Sequence, residues 1–480
     1  MSAPKSYIRP SLNAIAVPIV GEFILGISVA MAGLYLASQT SDAAAGAFGM
    51  TQQVVETLAV LFRVLAIGIG VVVTQKLGSN NTTGAKRTAL GAIGAATWVG
   101  AVAALWMLFG NGFTLRALNA PEPVLVLAQT YMIVLAPALI LEAYNLSMAA
   151  VLRANLLAKE SFAVMVVMHG SHLLFAWLLM LGFWGWGGLG LNGSAVAWLL
   201  SRAIGVVVHL WLWRSRLAIT PQRKHWWHVP RDILKPVLTI GLPAAALELC
   251  YRLAFLVSVG AVASLGVAAL ATHAYTLQIL LYVSLTSRSL GWACEIMSGR
   301  LVGAGRFKEA YTLVLKGTRS GLIASGLMAV SAALLAPWIL PLFTKDPAVI
   351  RLATWLLWLS LFLELGRVFN MVVLSSLRAV GDSHYPLAAS ILSIIFILGF
   401  GSYWFGHWFG LIGIWVAYIV DECLRGAFMM RRWYTLGWVS KGKAIYRRLH
   451  ADNRLTDATH LSAVDADSLK ENRTTLTSVV

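Results

Sequence analysis

The sequence predicts an all-α polytopic membrane protein, with twelve transmembrane helices in two pseudo-symmetric six-helix bundles. Three observations carry this reading: apolar runs of bilayer length, basic residues gathered on alternate loops, and a second half that repeats the first. The 480 residues are 59% hydrophobic and only 12% charged, with a mean hydropathy of +0.75. Soluble domains carry about 25% charged residues, so an ordinary soluble enzyme is excluded. Each apolar run reaches the roughly 20 residues that a spanning helix needs.

The spans are read in order at about 12–37, 43–75, 88–110, 124–151, 161–183, 190–213, 232–263, 268–301, 310–340, 348–376, 385–408 and 410–435. They divide the chain into an N-terminal lobe (1–215), a basic linker (216–231), a C-terminal lobe (232–440) and a polar tail (441–480), expected to be disordered beyond Asp452. The linker region carries Pro221, Trp226, Trp227 and Pro230. It reads equally as an amphipathic segment on the inner leaflet or as a plain loop with interfacial tryptophans. Tryptophans such as Trp184, Trp186, Trp211, Trp213, Trp433 and Trp438 are expected at the membrane interfaces.

A net charge of +17 does not point to nucleic acid, because the basic residues sit between the hydrophobic runs rather than on one domain or helix face. With the N-terminus and every even-numbered loop on one side, that side holds 28 of the 37 lysines and arginines. The other side holds three, and six arginines fall inside spans. Basic loops stay in the cytoplasm. Both termini are therefore expected there, with the chain crossing the plasma membrane many times. No cleavable signal opens the chain, so the first apolar run is expected to be retained. Cys250, Cys294 and Cys423 all lie in apolar stretches, which argues against a disulfide framework.

Sliding the second half on the first gives one dominant offset, 225 residues. It superposes Pro18 on Pro243, Gln53 on Gln278, Arg63 on Arg288, Gly78 on Gly303, Asn145 on Asn370 and Arg153 on Arg378. Near the end of each half the offset drops to 220, which brings Gly190 onto Gly410 and Gly193 onto Gly413. Matches of alanine and leucine are cheap in such a composition; matches of arginine, glutamine, asparagine and proline are not. Six spans per unit is an even number, so both units enter from the same side. The repeat is parallel, with its pseudo-two-fold axis along the membrane normal.

Each half opens on a similar proline motif, Ile15-Ala-Val-Pro18 and Ile240-Gly-Leu-Pro243. The loop after the second span of each half reads Thr74-Gln-Lys-Leu-Gly78 and Gly299-Arg-Leu-Val-Gly303, and a later segment reads Leu377-Arg-Ala-Val-Gly-Asp382 with a partner at Leu152-Arg-Ala154. In the order and repetition of these motifs the chain resembles the multidrug and toxic compound extrusion (MATE) family over nearly all its length. The resemblance implies two V-arranged lobes. It also implies secondary active export of organic, often cationic or amphipathic compounds, driven by inward Na⁺ or H⁺. No cofactor beyond the coupling ion is implied. The partners expected are a small-molecule substrate and the bilayer, with no nucleic acid, and the chain is expected to act as a monomer.

A charge at the bilayer centre costs about 2.5–3.5 kcal/mol on insertion scales, so it is kept facing protein or water. Glu22, Glu56, Glu248, Glu295 and Glu364 are the candidates for ion coupling, and Arg63, Arg288, Gln53, Gln278, Asn145, Asn370 and Tyr251 the candidates for the cavity wall. Glu56 lies seven residues before Arg63 and Glu295 seven after Arg288, nearly two turns in each case, so each acid shares a helix face with its arginine. Glu248 with Arg252 and Glu364 with Arg367 have the spacing of intrahelical ion pairs. Glu142 is the repeat mate of Arg367, and Arg202 that of Glu422, as if acids and arginines had been reassigned between lobes. A cross-lobe contact between Arg202 and Glu422 is one possibility. Asn145 and Asn370 serve either as helix bridges or as cavity groups. His169, His172 and His273 serve either as packing groups or as proton relays, and no metal set is evident.

No Walker A sequence, nucleophile elbow or zinc motif is present, so the chain is not read as an enzyme or an ATP-driven pump. Two transport readings remain: an ion-coupled exporter with a cytoplasm-facing cavity between the lobes, and a flippase for a lipid-linked or polysaccharide precursor. A non-transporting receptor or scaffold is the third and weakest reading.

Overall fold

The computed structural model describes residues 11–182 and 187–454. The first lobe consists of α1 (Leu12–Thr40), α2 (Asp42–Gly78), α3 (Thr82–Phe109), α4 (Glu122–Ala154), α5 (Ala158–Leu181) and α6 (Leu191–Leu212). The second consists of α7 (Arg231–Ser264), α8 (Val267–Gly303), α9 (Phe307–Ile339), α10 (Pro347–Ala379) and a long helical run from His384 to Tyr434. That run breaks at Gly410, whose φ of 60° and ψ of −147° are outside the helical region. The portions before and after the break are α11 and α12. Gly190, at φ 55° and ψ −137°, makes the same break between α5 and α6. Glycine is needed at both places because an L side chain resists positive φ. With the break counted, twelve spans result and αn of the first lobe corresponds to αn+6 of the second.

The helix starts follow from capping chemistry. Ser11, Ser41, Asn81 and Asp346 each accept a hydrogen bond from a free amide of the first turn of α1, α2, α3 and α10. Lys76, Arg153, Arg300 and Arg378 occupy last turns, where they oppose the negative end of the helix dipole.

The first lobe has one continuous apolar core, running through Phe62, Met132, Leu139, Ala195 and Trp213. The second has two. One lies toward the end that carries the basic loops, includes Leu290, Val372 and Trp433, and takes in Ile15, Ile19 and Ala158 of the first lobe. The other lies toward the opposite end and includes Leu280, Leu357 and Trp415. On the outside, large apolar side chains such as Phe109, Leu256, Val267, Trp338 and Trp404 are exposed, as a surface facing lipid requires.

Two segments gain detail that the sequence did not offer. The linker is strapped beneath the first lobe: Trp98 Nε1 donates to the Trp227 carbonyl at 3.0 Å, Trp226 meets Tyr144 edge-on, and Lys86 Nζ donates to the Ala218 carbonyl. The polar tail begins as a helix, α13, over 439–454. Its apolar residues, few as they are, anchor it. Tyr446 packs on Phe307 of the second lobe, while Asn453 donates to the Ser79 carbonyl of the first at 2.9 Å. Residues 455–480 lie outside the described residues, as do Trp184 and Trp186. Trp213, Trp433 and Trp438 are fully buried rather than interfacial, with the last two stacked 4.4 Å apart, because they close the ends of helix bundles.

The lobes meet at the basic end through contacts that obey a two-fold axis. A side chain at Gly78 would strike the Arg300 carbonyl, and one at Gly303 would strike the Gln75 carbonyl. Residues 75 and 300, like 78 and 303, are 225 apart. Gln75 Nε2 donates to the Ala379 carbonyl at 2.8 Å, and Arg300 Nη2 donates to the Ala154 carbonyl at 2.8 Å. These two bonds are repeat mates as well. Thr74 and Gly299, themselves mates, touch across the axis. Two halves inserted upside down to one another could not pair equivalent positions at one end. Further contacts join α2 to α7, where Gly68 meets the Val237 carbonyl and Gly241 the Val64 carbonyl, and α1 to α8, where Phe23 meets Trp292 with ring centroids 5.2 Å apart.

Candidate functional site

Beyond these contacts the lobes touch again where Tyr282 Oη of α8 lies 3.8 Å from Met31 Sδ of α1, and exposed polar groups of α2 and α8 mark a hollow toward the end opposite the basic loops. At the basic end the lobes are closed, because glycines at 68, 78, 241 and 303 let the backbones approach. Gln53, Glu56 and Thr57 of α2 and Ala274 and Gln278 of α8 are exposed above the contact.

Four charges from both lobes form a bridge at the base of the hollow. Arg63 Nη2 lies 2.9 Å from Glu248, and Arg63 Nη1 lies 3.6 Å from Glu56. Arg252 sits 3.1 Å from Glu248 and 3.9 Å from Glu56. The seven-residue spacing thus brings Glu56 onto Arg63, and the helical pair Glu248–Arg252 forms as its spacing implies. What the spacing did not reveal is that α7 turns Glu248 toward Arg63 of the other lobe.

The second pairing read from spacing does not form. Glu295 lies 3.1 Å from Arg378, not on Arg288, and Arg378 also donates to Ser375. α10 packs closely on α8, so its arginine reaches Glu295 more easily than one almost two turns along the same helix. The repeat mate of Arg378 behaves likewise: Arg153 lies 3.0 Å from Glu22, while Ser161 donates to Glu22 at 2.7 Å. Arg153 also lies over the Trp292 ring of the second lobe at 5.1 Å. Glu22 and Glu295 are therefore held in buried pairs near the closed end. Their side chains are 6% and 11% exposed, against 48% for Glu56 and 31% for Glu248.

A belt of charge crosses the second lobe between its two apolar cores. Arg367 pairs with Glu364 and lies 3.8 Å from Glu422. Arg425 is 2.6 Å from Asp421 and 3.2 Å from Glu422. Ser393 donates to Asp421, and Tyr251 lies beneath the Arg425 guanidinium at 5.5 Å. The first lobe carries one pair at the corresponding level, Arg202 with Glu142. Its members are the repeat mates of Glu422 and Arg367. The same helix pair is bridged in each lobe, with the signs exchanged. The cross-lobe Arg202–Glu422 contact does not form, because each residue is taken by the charge opposite it in its own lobe.

Asn145 and Asn370 are buried between helices rather than on the cavity wall. Asn145 donates to the Arg202 carbonyl and Asn370 to the Glu422 carbonyl, both at 2.9 Å, so the two mates make one bond twice. Gln53 and Gln278 are exposed, Tyr251 is half-buried and Arg288 is exposed. His169 and His172 are buried near Arg202. His273 is packed among Phe255, Trp415 and Tyr418, with neither ring nitrogen bonded among the described residues. No group of three or more His, Cys, Asp or Glu suited to a metal ion occurs among the described residues.

The family model for MatE matches residues 18–178 and again 243–403, two copies displaced by the same 225 residues that relate the two lobes. The chain belongs to the MatE family. It is 28% identical over 439 residues to the uncharacterized transporter YisQ of Bacillus subtilis, covering 90% of this chain and 96% of that one. It is 22% identical to a probable multidrug resistance protein NorM of Agrobacterium fabrum, over 85% and 90% of the two chains. Among solved structures, a MATE protein in the bent conformation superposes with a TM-score of 0.81 at 18% identity, over 92% and 96% of the chains. The Vibrio cholerae MATE transporter VcmN in its bent form gives 0.80 at 20% identity, over 90% and 97%. This MatE chain is accordingly a multi-pass membrane transporter with the two-lobed, twelve-helix fold.

The charge-exchanged pairs and the Arg425 cluster were missed as site residues from sequence. The signal was available: at offsets of 225 and 220, Glu142 falls on Arg367 and Arg202 on Glu422, a double reversal that preserves a contact.

Proposed function

We propose that this transporter is a secondary active exporter of small organic compounds, working by alternating access and driven by a H⁺ or Na⁺ gradient. The basic end is taken to face the cytoplasm, so that the hollow faces outward. The observation that carries the proposal is the Arg63–Glu248 bridge. It joins the lobes at the base of an open hollow, and the lobes cannot separate at the basic end while it holds. Glu248 and Glu56 are the two of the five candidate carboxylates that water reaches readily, and both neutralise Arg63 and Arg252. A proton or Na⁺ arriving from outside competes with the arginines for these carboxylates. Once the bridge is weakened, the equilibrium moves toward the state open at the basic end, by as much as the ion prefers one state over the other. Glu22, Glu295 and Glu364, buried in pairs within or beside one lobe, hold helices together instead.

The test is efflux of a fluorescent organic dye from proteoliposomes under an imposed pH or Na⁺ gradient. Efflux should stop when the gradient is collapsed, and Glu248→Gln should abolish the gradient dependence. Efflux that continues at the same rate without any gradient would refute the coupled mechanism.

A further inference from the structure

We infer that Arg288 anchors the acidic group of an amphipathic organic anion, which would make the cargo of this transporter anionic rather than cationic. The inference rests on the transporter reading above and adds a substrate class to it. Arg288 lies on α8 one turn from Trp292, the residue that touches Phe23 of the other lobe, and so stands at the floor of the hollow. It is solvent-exposed. Among the described residues it makes no hydrogen bond and no ion pair. The acids within its electrostatic reach are Glu248 and Glu364, with the Arg367 guanidinium and the Tyr251 phenol beside them. Both acids are already engaged, Glu248 by Arg63 and Arg252 and Glu364 by Arg367.

The repeat explains why this arginine is free. Its mate, Arg63, is neutralised by Glu248 and Glu56, with Arg252 alongside. At the same offset of 225, the positions that would supply these groups to Arg288 are Phe23, Leu281 and Ile27. At each position that is charged around Arg63, the repeat carries an apolar residue for Arg288. An unpaired guanidinium inside a membrane is costly unless it faces water or a ligand. Its planar fork suits the oxygens of a carboxylate, sulfonate or phosphate. Tyr251 beside it, and Trp292 one turn away with Phe23 against it, suit an apolar or aromatic body attached to that group.

The probe is naphthalene-2-sulfonate, titrated by calorimetry into the full-length chain in phosphatidylcholine nanodiscs, with ethidium as the cationic control. Wild type should bind the sulfonate about tenfold or more tighter than Arg288→Gln, with Arg288→Lys intermediate. Ethidium should bind Arg288→Gln no more weakly than wild type. Thermal unfolding of each variant at the wild-type temperature shows that the fold is intact, and Arg288→Lys keeps the charge if Arg288→Gln does not fold. Equal sulfonate affinity in wild type and Arg288→Gln, or no saturable sulfonate binding by wild type, would overturn the inference. Adding phosphatidylglycerol to the nanodiscs separates two sources of the anion. Displacement of the sulfonate in wild type alone assigns the site to a lipid headgroup, and undiminished binding assigns it to a soluble compound. Binding is read without any ion gradient, so loss of coupled efflux would sink the transport mechanism while leaving this result legible.

Discussion

The two lobes share one backbone plan and fill it differently. In the first, an unbroken apolar core runs the length of the bundle and a single pair, Glu142–Arg202, crosses from α4 to α6. In the second, the core is cut in two by Glu364, Arg367, Asp421, Glu422 and Arg425. The pair common to both has reversed its polarity. A duplicated fold therefore preserves contacts rather than residues: a buried cation demands a partner anion, and either helix can supply either sign. The extra charges of the second lobe form a buried belt between its two cores, whereas the charges that reach water, Glu56, Arg63, Glu248 and Arg252, join the two lobes.

The sharpest way to break this comparison is to remove one member of each reversed pair. Glu422→Leu leaves Arg367 and Arg425 short of a carboxylate in a buried belt. It should destabilise the chain by about 3–5 kcal/mol, seen as a large fall in Tm in detergent. Arg202→Leu should cost less, about 1–3 kcal/mol, because the Glu142 side chain it strands is 25% exposed and can be hydrated. Equal losses would contradict the account of a network in one lobe and a lone pair in the other.

Closure at the basic end comes next. Gly303→Val would drive a side chain into the Gln75 carbonyl. It should hold the lobes apart at that end, seen by spin-label distances across the axis as a shift toward longer values. Gly49→Val, at a position with open space around it, should leave the distances unchanged.

The smallest effects concern the mirrored bonds that seal the closed end. Arg300→Ala removes a charge-assisted bond, worth about 1.5–3 kcal/mol, and Gln75→Ala a neutral one, worth about 0.5–1.5 kcal/mol. Both should raise the population of the state open at the basic end, measured by the labelling rate of a cysteine placed in the interface. Arg300→Ala should raise it more, although the two bonds occupy equivalent places.

The sequence made the plan legible because the plan repeats. The span order, the parallel halves, the break at Gly410 and the matched asparagines were all visible as residues recurring at a fixed distance. Partners on other helices were not visible, since they depend on how neighbouring helices are rotated and tilted. Glu295 shares a helix face with Arg288, yet Arg378 on the adjoining helix is the group it meets. Glu248 looked like half of a local pair with Arg252, and its cross-lobe contact to Arg63 follows only from the approach of α7 to α2. The helix over 439–454 was hidden for another reason. Its composition is polar, and its docking depends on Tyr446 and Asn453 meeting surfaces that form only once both lobes are assembled.

The central claim is that two parallel halves meet at the basic end across a two-fold axis and must part there for transport. Thr74 and Gly299 are equivalent positions in contact across that axis: a Cβ built on Gly299 would lie 3.2 Å from that of Thr74. Disulfides need Cβ atoms about 3.5–4.5 Å apart. In a background with Cys250, Cys294 and Cys423 replaced by serine, the pair Thr74→Cys and Gly299→Cys should cross-link on mild oxidation. The cross-link should abolish efflux, and reduction should restore it. Failure to cross-link, or a cross-linked protein that exports at the undiminished rate, would contradict the account.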